Sequence, residues 1–356
     1  MEETDRLIVT LQDIAEEVGV SRGTVDRALN HRGRVSEETA KRVREAAERL
    51  GYQKTLAATG LAARRKKLQL GFIYIAGEEY PFHHQIYEAA AKKAKELAQY
   101  GVTVYFLGVS KPDRKQLENI RRFILEHPQI SGWAAMGILC DFLYQVWREE
   151  GLPEVPVVSY NLDAEKPEHR ICFVGCDYRK AGRLACGLAA LFSREQGRVL
   201  IVSEDMGNIP SCRERTEGFR GEMDQYPAMR IADELYMNGL EDEQRRKLCD
   251  KAVEKVESDS DINVVYLMNP SDYRICDELH RAAGARHLAV ITNDVASEEQ
   301  KKMLLDGRIT ATIDQEPAKQ GKRPLELLFR YLTMDRRPEK EWEKTKLSII
   351  LRQSLD

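Results

Sequence analysis

From Gln69 to near the C-terminus, short apolar runs alternate with longer amphipathic stretches, and this alternation restricts the fold more than any other property of the chain. LGFIYIA, VTVYFLGV, GWAAMGI and VPVVSY have the length and composition of strands, whereas HHQIYEAAAKKAKELAQYG and RKQLENIRRFILEHP between them have helical spacing. Strands alternating with helices imply parallel sheets joined by helical crossovers. A second set follows with RICFVG, GRVLIVS, MRIADELYM, NVVYLMN, HLAVITND and ITATID, and LSIILRQS is the final strand. The fold class expected is α/β, with two similar lobes of parallel sheet in one body over residues 68–356. Ligands of such sheets bind outside the carboxyl ends of the strands, which here means the cleft between the lobes.

The first sixty residues obey a different periodicity and form a small all-α headpiece over residues 8–53. Thr10 caps a helix with Asp13 three residues on, and Leu11, Ile14, Ala15 and Val18 fall on one face. Gly19 ends this helix, Ser21 caps a second, and Val25, Ala28 and Leu29 turn inward. A third helix starts at Ser36 with Glu37 and Glu38 in its first turn, and its inner stripe is Ala40, Val43, Ala47 and Leu50. The outer face of the second helix is Arg22, Gly23, Asp26 and Arg27. Two short helices joined by a tight turn form a helix-turn-helix, whose second helix enters the major groove. An arginine near its N-terminus can donate a bidentate pair to guanine O6 and N7, so Arg22 and Arg27 are the candidate base readers.

Charge agrees with this division. The whole chain carries −3, yet residues 10–67 hold thirteen Lys or Arg against eight Asp or Glu, a local +5, so the remainder is acidic. The seven cysteines form no framework, and Cys172 and Cys176 lack a second pair at zinc spacing, so reduced, structural thiols are expected and no metal. His83 and His84 are adjacent and point different ways along a helix, a poor pair for a metal. No apolar segment precedes Thr10 and no run reaches membrane-spanning length, from which a cytoplasmic protein is expected. The chain has no GxGxxG after its first strand, and no GxxxxGK[ST], GxSxG or HExxH, so neither an enzyme nor a cofactor is expected.

The strand ends supply a candidate pocket: Tyr80, Phe82, His83 and His84 after the first strand, Tyr160 and Asn161 after the fourth, and later Arg215, Asn269, Asp294 and Gln315. Polyhydroxy ligands need carboxylate, guanidinium and amide partners for their hydroxyls and an aromatic face for the C–H side of the ring.

The run VSRGTVDRALNHRGRVSEETAKRVREAAERLGY, followed by AATGL, resembles the DNA-binding headpiece and hinge of the lactose-repressor (LacI) family of bacterial transcription regulators. The resemblance implies base reading at Arg22, Gly23 and Arg27, within a DNA-contacting set that also takes in Thr10, Ser21, Thr24, Asn30 and His31. It implies a hinge over residues 54–67 in which Leu61, preceded by the small Ala58, wedges into the minor groove of double-stranded operator DNA. Three positions depart from the family pattern: Gly23 has no side chain to read with, Asp26 replaces a small hydroxyl residue, and Thr55 replaces an asparagine. VGCDYRKAGRLA, RERTEGFR and TIDQEPAKQG resemble the periplasmic-binding-protein-like sensor domain of the same family. By that resemblance Arg215, Asp294 and Gln315 bind ligand, whereas Tyr160 stands where an aspartate is common. The implied protein is a transcriptional repressor that binds DNA as a homodimer under control of a sugar or sugar-like effector. A ligand-independent regulator, and a sugar-binding protein or enzyme with a fused helical domain, are the alternatives.

Overall fold

The computed structural model describes residues 9–29, 35–50, 52, 60, 63–64, 66–77, 81–110, 114–203, 210–236, 242–268, 272–334 and 336–355. Asn30, His31, Ala58, Leu61, Tyr80 and Asn269 lie outside them. Contacts divide the chain into two units, Met1–Ala62 and Ala63–Asp356.

The first unit contains α1 (Leu11–Val18), α2 (Arg22–Leu29) and α3 (Glu37–Arg49). Thr10 Oγ1 accepts from the backbone N–H groups of Gln12 and Asp13, and Asp13 returns a bond to the Thr10 N–H at 2.6 Å, a reciprocal cap. Gly19 ends α1 at φ +74°, the left-handed conformation that glycine adopts without a steric penalty. Ser21 Oγ accepts from Thr24 N at 3.1 Å, and Ser36 Oγ from Thr39 N at 3.2 Å, so both later helices start on serine caps. Ile14, Ala15 and Val18, Val25 and Ala28, and Val43, Ala46 and Ala47 form one small core.

The second unit contains two six-stranded sheets. β1 (Gln69–Ile75), β2 (Thr103–Val109), β3 (Trp133–Met136), β4 (Val157–Tyr160), β5 (Cys172–Gly175) and β11 (Trp342–Lys344) form the first, in the order β11-β5-β4-β3-β1-β2. β6 (Arg198–Ser203), β7 (Arg230–Tyr236), β8 (Ile262–Met268), β9 (Ala289–Asn293), β10 (Ala311–Asp314) and β12 (Ser348–Ile350) form the second, in the order β12-β10-β9-β8-β6-β7. The first five strands of each lobe have the same order and pair in parallel; β12 is antiparallel to β10.

Both faces of each sheet are covered, which is why the strands read as continuous apolar runs instead of alternating ones. In the first lobe α4 (Pro81–Ala98) and α12 (Pro317–Met334) cover one face through Ile86, Ala90, Leu325 and Leu328. α5 (Arg114–Glu126) and α6 (Gly137–Glu150) cover the other through Ile120, Ile124, Leu143 and Trp147. In the second lobe α7 (Tyr178–Ser193) and α8 (Pro210–Glu222) lie over Ile201, Val264 and Tyr266. α9 (Asp242–Ser258), α10 (Ile275–Ala283) and α11 (Glu298–Leu305) lie on the opposite face.

Two readings of the sequence are corrected here. RICFVG does not begin the second lobe: β5 pairs with β4 in the first sheet. The short polar segment WEK, not read as a strand, joins the same sheet as β11 beside β5. Alternation of apolar runs reports that strands exist, whereas sheet membership depends on long-range pairing that no local pattern encodes. The chain therefore passes between lobes three times, at 176–177, 315–316 and 345–347.

Candidate functional site

On the headpiece, burial separates the two faces of α2. Val25 and Ala28 are buried, while Ser21, Arg22, Gly23 and Arg27 are exposed. Arg27 Nε donates to the Gly23 carbonyl at 3.1 Å and Nη2 to Thr24 Oγ1 at 3.5 Å, which draws the guanidinium back toward the N-terminal turn. That is the end of a helix-turn-helix from which base edges are read. A Cβ on Gly23 would meet nothing nearer than Ser21 Oγ at 3.8 Å, so the residue is an open surface position. The Thr10 and Ser21 hydroxyls are engaged as helix caps.

In the second unit the C-terminal ends of strands from both sheets bring buried polar side chains together. Arg215, on α8, is 2% exposed, yet its Nε has no hydrogen-bond partner among the described residues. Its guanidinium lies over the Tyr178 ring, 4.8 Å from the centroid. Asp294 follows β9 and is likewise buried; Gln315 Nε2 donates to its Oδ2 at 2.8 Å, and Oδ1 has no partner among the described residues. Burial pushes the Asp294 carboxyl up to about 7, although the charge of Arg215 and the Gln315 hydrogen bond act in the opposite direction. Asn293 accepts from Tyr266 Oη at 3.3 Å, but among the described residues its Nδ2 is unpaired, as is Ser203 Oγ at the end of β6.

The first lobe adds Asn161, whose Nδ2 donates to Gln320 Oε1 at 3.2 Å and whose carbonyl accepts from Tyr178 Oη at 2.7 Å. Asn161 and Asp294 occupy equivalent places, one residue beyond β4 and β9, and both have positive φ, +61° and +63°. Left-handed backbone is costly for residues with a side chain and concentrates at functional sites. Phe82 and His83 begin α4; Phe82 is half-buried against the lobe-one core, with the His83 imidazole edge-on at 5.4 Å. Burial pushes His83 down to about 4, so it is neutral at physiological pH.

Tyr160 is the correction among the pocket candidates. Its side chain is fully buried in the first-lobe core, stacked on Phe72 at 5.0 Å, and its hydroxyl donates to the Ile73 carbonyl at 2.7 Å. Side chains alternate across a strand, and Tyr160 lies on the sheet face covered by α4 and α12 while the backbone turns at Asn161. Sequence reasoning missed Cys176, Tyr178, Asn293 and Gln320. The first two lie within VGCDYRKAG and the last within TIDQEPAKQG, the segments already singled out, and Asn293 immediately precedes Asp294.

A guanidinium Nε, a carboxylate oxygen and an amide nitrogen that are buried without partners among the described residues are costly. Such groups are matched by a ligand carrying both hydrogen-bond donors and acceptors. Among the described residues, no group of His, Cys, Asp and Glu could hold a metal ion, and no helix is long and apolar enough to cross a membrane. All seven cysteines are free thiols.

Comparison with known proteins accords with this geometry. The family model described as periplasmic binding protein domain matches residues 70–335, and that of bacterial regulatory proteins, lacI family, matches residues 10–54. Catabolite control protein A of Streptococcus mutans is 26% identical over 214 residues, 60% of each chain. The HTH-type transcriptional regulator PtxS of Pseudomonas putida is 28% identical over 227 residues, 62% of each. The chain thus spans about 60% of the length of the curated relatives it matches. A glucose-galactose binding protein of Geobacillus stearothermophilus, GanP, shares the fold with TM-score 0.66 and 19% identity, over 81% of this chain and 98% of that one. Residues 70–335 make this chain a member of the periplasmic binding protein domain family, and its N-terminal residues 10–54 match the model of bacterial regulatory proteins, lacI family.

Proposed function

We propose that the protein is a cytoplasmic transcriptional repressor that binds double-stranded operator DNA through α2 and whose DNA affinity is set by a sugar or sugar-like effector in the cleft between the lobes. The observation that carries the effector reading is the buried Arg215–Asp294–Gln315 group, which retains an unpaired donor and an unpaired acceptor. GanP, by its name a glucose-galactose binding protein, supports a sugar as the ligand class. The two curated relatives, a catabolite control protein and a transcriptional regulator, support DNA-level control. We take the active species to be a homodimer on a two-fold operator, because one headpiece buries too little surface for tight specific binding. The domain boundaries in this reading are 8–53 for the headpiece, 54–67 for the hinge and 68–356 for the sensor. An effector controls DNA binding only if it has different affinity for the two conformations of the protein.

The test is a pair of variants measured in both assays. Thermal shift against D-glucose, D-galactose, D-ribose and their phosphates identifies the effector, since a ligand of the native state raises the melting temperature. Arg27→Ala weakens specific DNA binding by roughly 1–3 kcal/mol and leaves effector binding intact. Arg215→Ala abolishes the effector-induced shift and leaves DNA binding intact. Loss of both activities in both folded variants overturns the division of labour.

A further inference from the structure

Two of the three passages between the lobes meet behind Asp294. Cys176, in the first, donates its thiol hydrogen to Gln315 Oε1 at 3.2 Å, and Gln315, in the second, donates Nε2 to Asp294 Oδ2 at 2.8 Å. The backbone carbonyl of Gln315 accepts from Gln320 Nε2 at 2.9 Å, and Gln320 Oε1 in turn accepts from Asn161 Nδ2. The orientation of a side-chain amide is decided by its neighbours, because its donor and acceptor ends have the same shape. Gln315 has a thiol at one end, with a hydrogen to give, and at the other the Asp294 carboxyl, which once ionised has lone pairs alone. Turned over, its oxygen would face the carboxylate.

We propose that Cys176 is a positioning residue of the effector site: its thiol holds the Gln315 amide with the NH2 group on Asp294 Oδ2, so that Asp294, when ionised, presents Oδ1 alone as the acceptor for a ligand hydroxyl. The proposal rests on the reading of the cleft as an effector site. Cys176 itself does not touch the ligand, and its action is confined to the direction of one hydrogen-bond chain. The consequence is a preference for ligands with an O–H donor at the position facing Oδ1, since a ligand that offers only an acceptor there meets an acceptor.

The surroundings make this separable from ordinary electrostatics. The titratable groups around Asp294 are Arg215 on α8, Asp314 at the end of β10, Cys176, and Tyr178 at the start of α7; Tyr266 and Cys212 lie around Arg215. Burial pushes Cys176 and Tyr266 up to about 12, and Tyr178 well above its usual range, so all three are neutral at physiological pH. Removing the Cys176 thiol therefore changes no charge near Asp294, and a change in Asp294 titration reports the hydrogen bond.

The experiment uses the full chain without ligand. Melting temperature is measured from pH 4 to 9 for the parent, Cys176→Ala and Cys176→Ser, each with and without Asp294→Asn. The difference within each pair isolates the Asp294 titration. With the amide no longer held, Cys176→Ala moves the Asp294 midpoint upward by about half a unit to one unit. Cys176→Ser, which keeps a donor, restores the parent midpoint. Should the alanine variant fail to fold, Cys176→Val fills the volume without donating and shows the same upward shift. An unmoved midpoint in the non-donating variants overturns the proposal, and so does a serine variant that moves with alanine, because the effect would then be one of packing. The effector reading stands or falls separately, on whether any sugar gives an Arg215-dependent thermal shift.

Discussion

Asp294 and His83 show how burial of single ionisable residues makes stability depend on pH. Asp294 has its carboxyl raised from the usual 3.8 to about 7, so the folded chain retains a proton that the unfolded chain has released. Its contribution to stability is complete below pH 3.8 and is lost as pH rises through 7. His83 is depressed from 6.5 to about 4, so its contribution is complete above pH 6.5 and is lost as pH falls through 4. The two slopes oppose each other between pH 4 and 6.5. Asp294→Asn, which mimics the protonated acid, should raise stability at pH 8 by roughly 2–4 kcal/mol, have little effect at pH 4, and lose the effector. Chemical denaturation at the two pH values checks this; equal effects at both would show that Asp294 is ionised in the fold.

At the scale of elements, the depth of Arg215 is set by how closely α7 and α8 cross. A Cβ on Gly182 would lie 1.9 Å from the Arg215 carbonyl, and one on Gly218 would lie 2.0 Å from the Arg179 carbonyl, so each helix seats a glycine against the backbone of the other. Neither carbonyl can withdraw without moving its helix. Gly218→Ala should therefore lower stability by about 1–3 kcal/mol and weaken effector binding as α8 lifts away from α7. Gly23 on α2 is the opposite case, because a Cβ there meets no obstacle. Gly23→Ala should stabilise the headpiece by about 0.5–1 kcal/mol through helix propensity. Thermal melts of both variants test the contrast, which fails if the two shifts have the same sign.

At the scale of the whole second unit, the two lobes are tied through the segment that carries Asp294. Gln85, on α4 in the first lobe, donates Nε2 to the Val295 carbonyl at 3.2 Å and lies 3.4 Å from that of Ala296. Gln300 holds the same segment from α11, accepting from the Ala296 and Ser297 N–H groups and donating to the Asp294 carbonyl. A second tie joins Lys344 to Asp177 across the passages, at 2.9 Å. Gln85→Leu removes the donor and leaves two carbonyls to water, at a cost of about 1 kcal/mol to the closed form. The expected result is a larger radius of gyration in solution scattering without ligand, together with weaker effector binding. An unchanged radius would mean that Gln85 does not hold the lobes.

The headpiece was legible from the sequence alone because its determinants are local: the caps at Thr10, Ser21 and Ser36, Gly19 after α1, and apolar residues at helical spacing all act within a few residues. The same holds for the existence of the strands and for Arg215, Asp294 and Gln315, each of which sits in a short recognisable segment. Tertiary structure alone decided the rest. It assigned β5, β11 and α12 to the first lobe, since strand pairing and helix docking join residues far apart in the chain. It turned Tyr160 into the core and set Asn161 between Tyr178 and Gln320, because which side of a sheet a residue faces depends on the sheet's partners. It also brought Cys176, Gln315 and Asp294, contributed by three separate segments, into one hydrogen-bonded chain, and burial there, invisible in any local pattern, is what perturbs the acid.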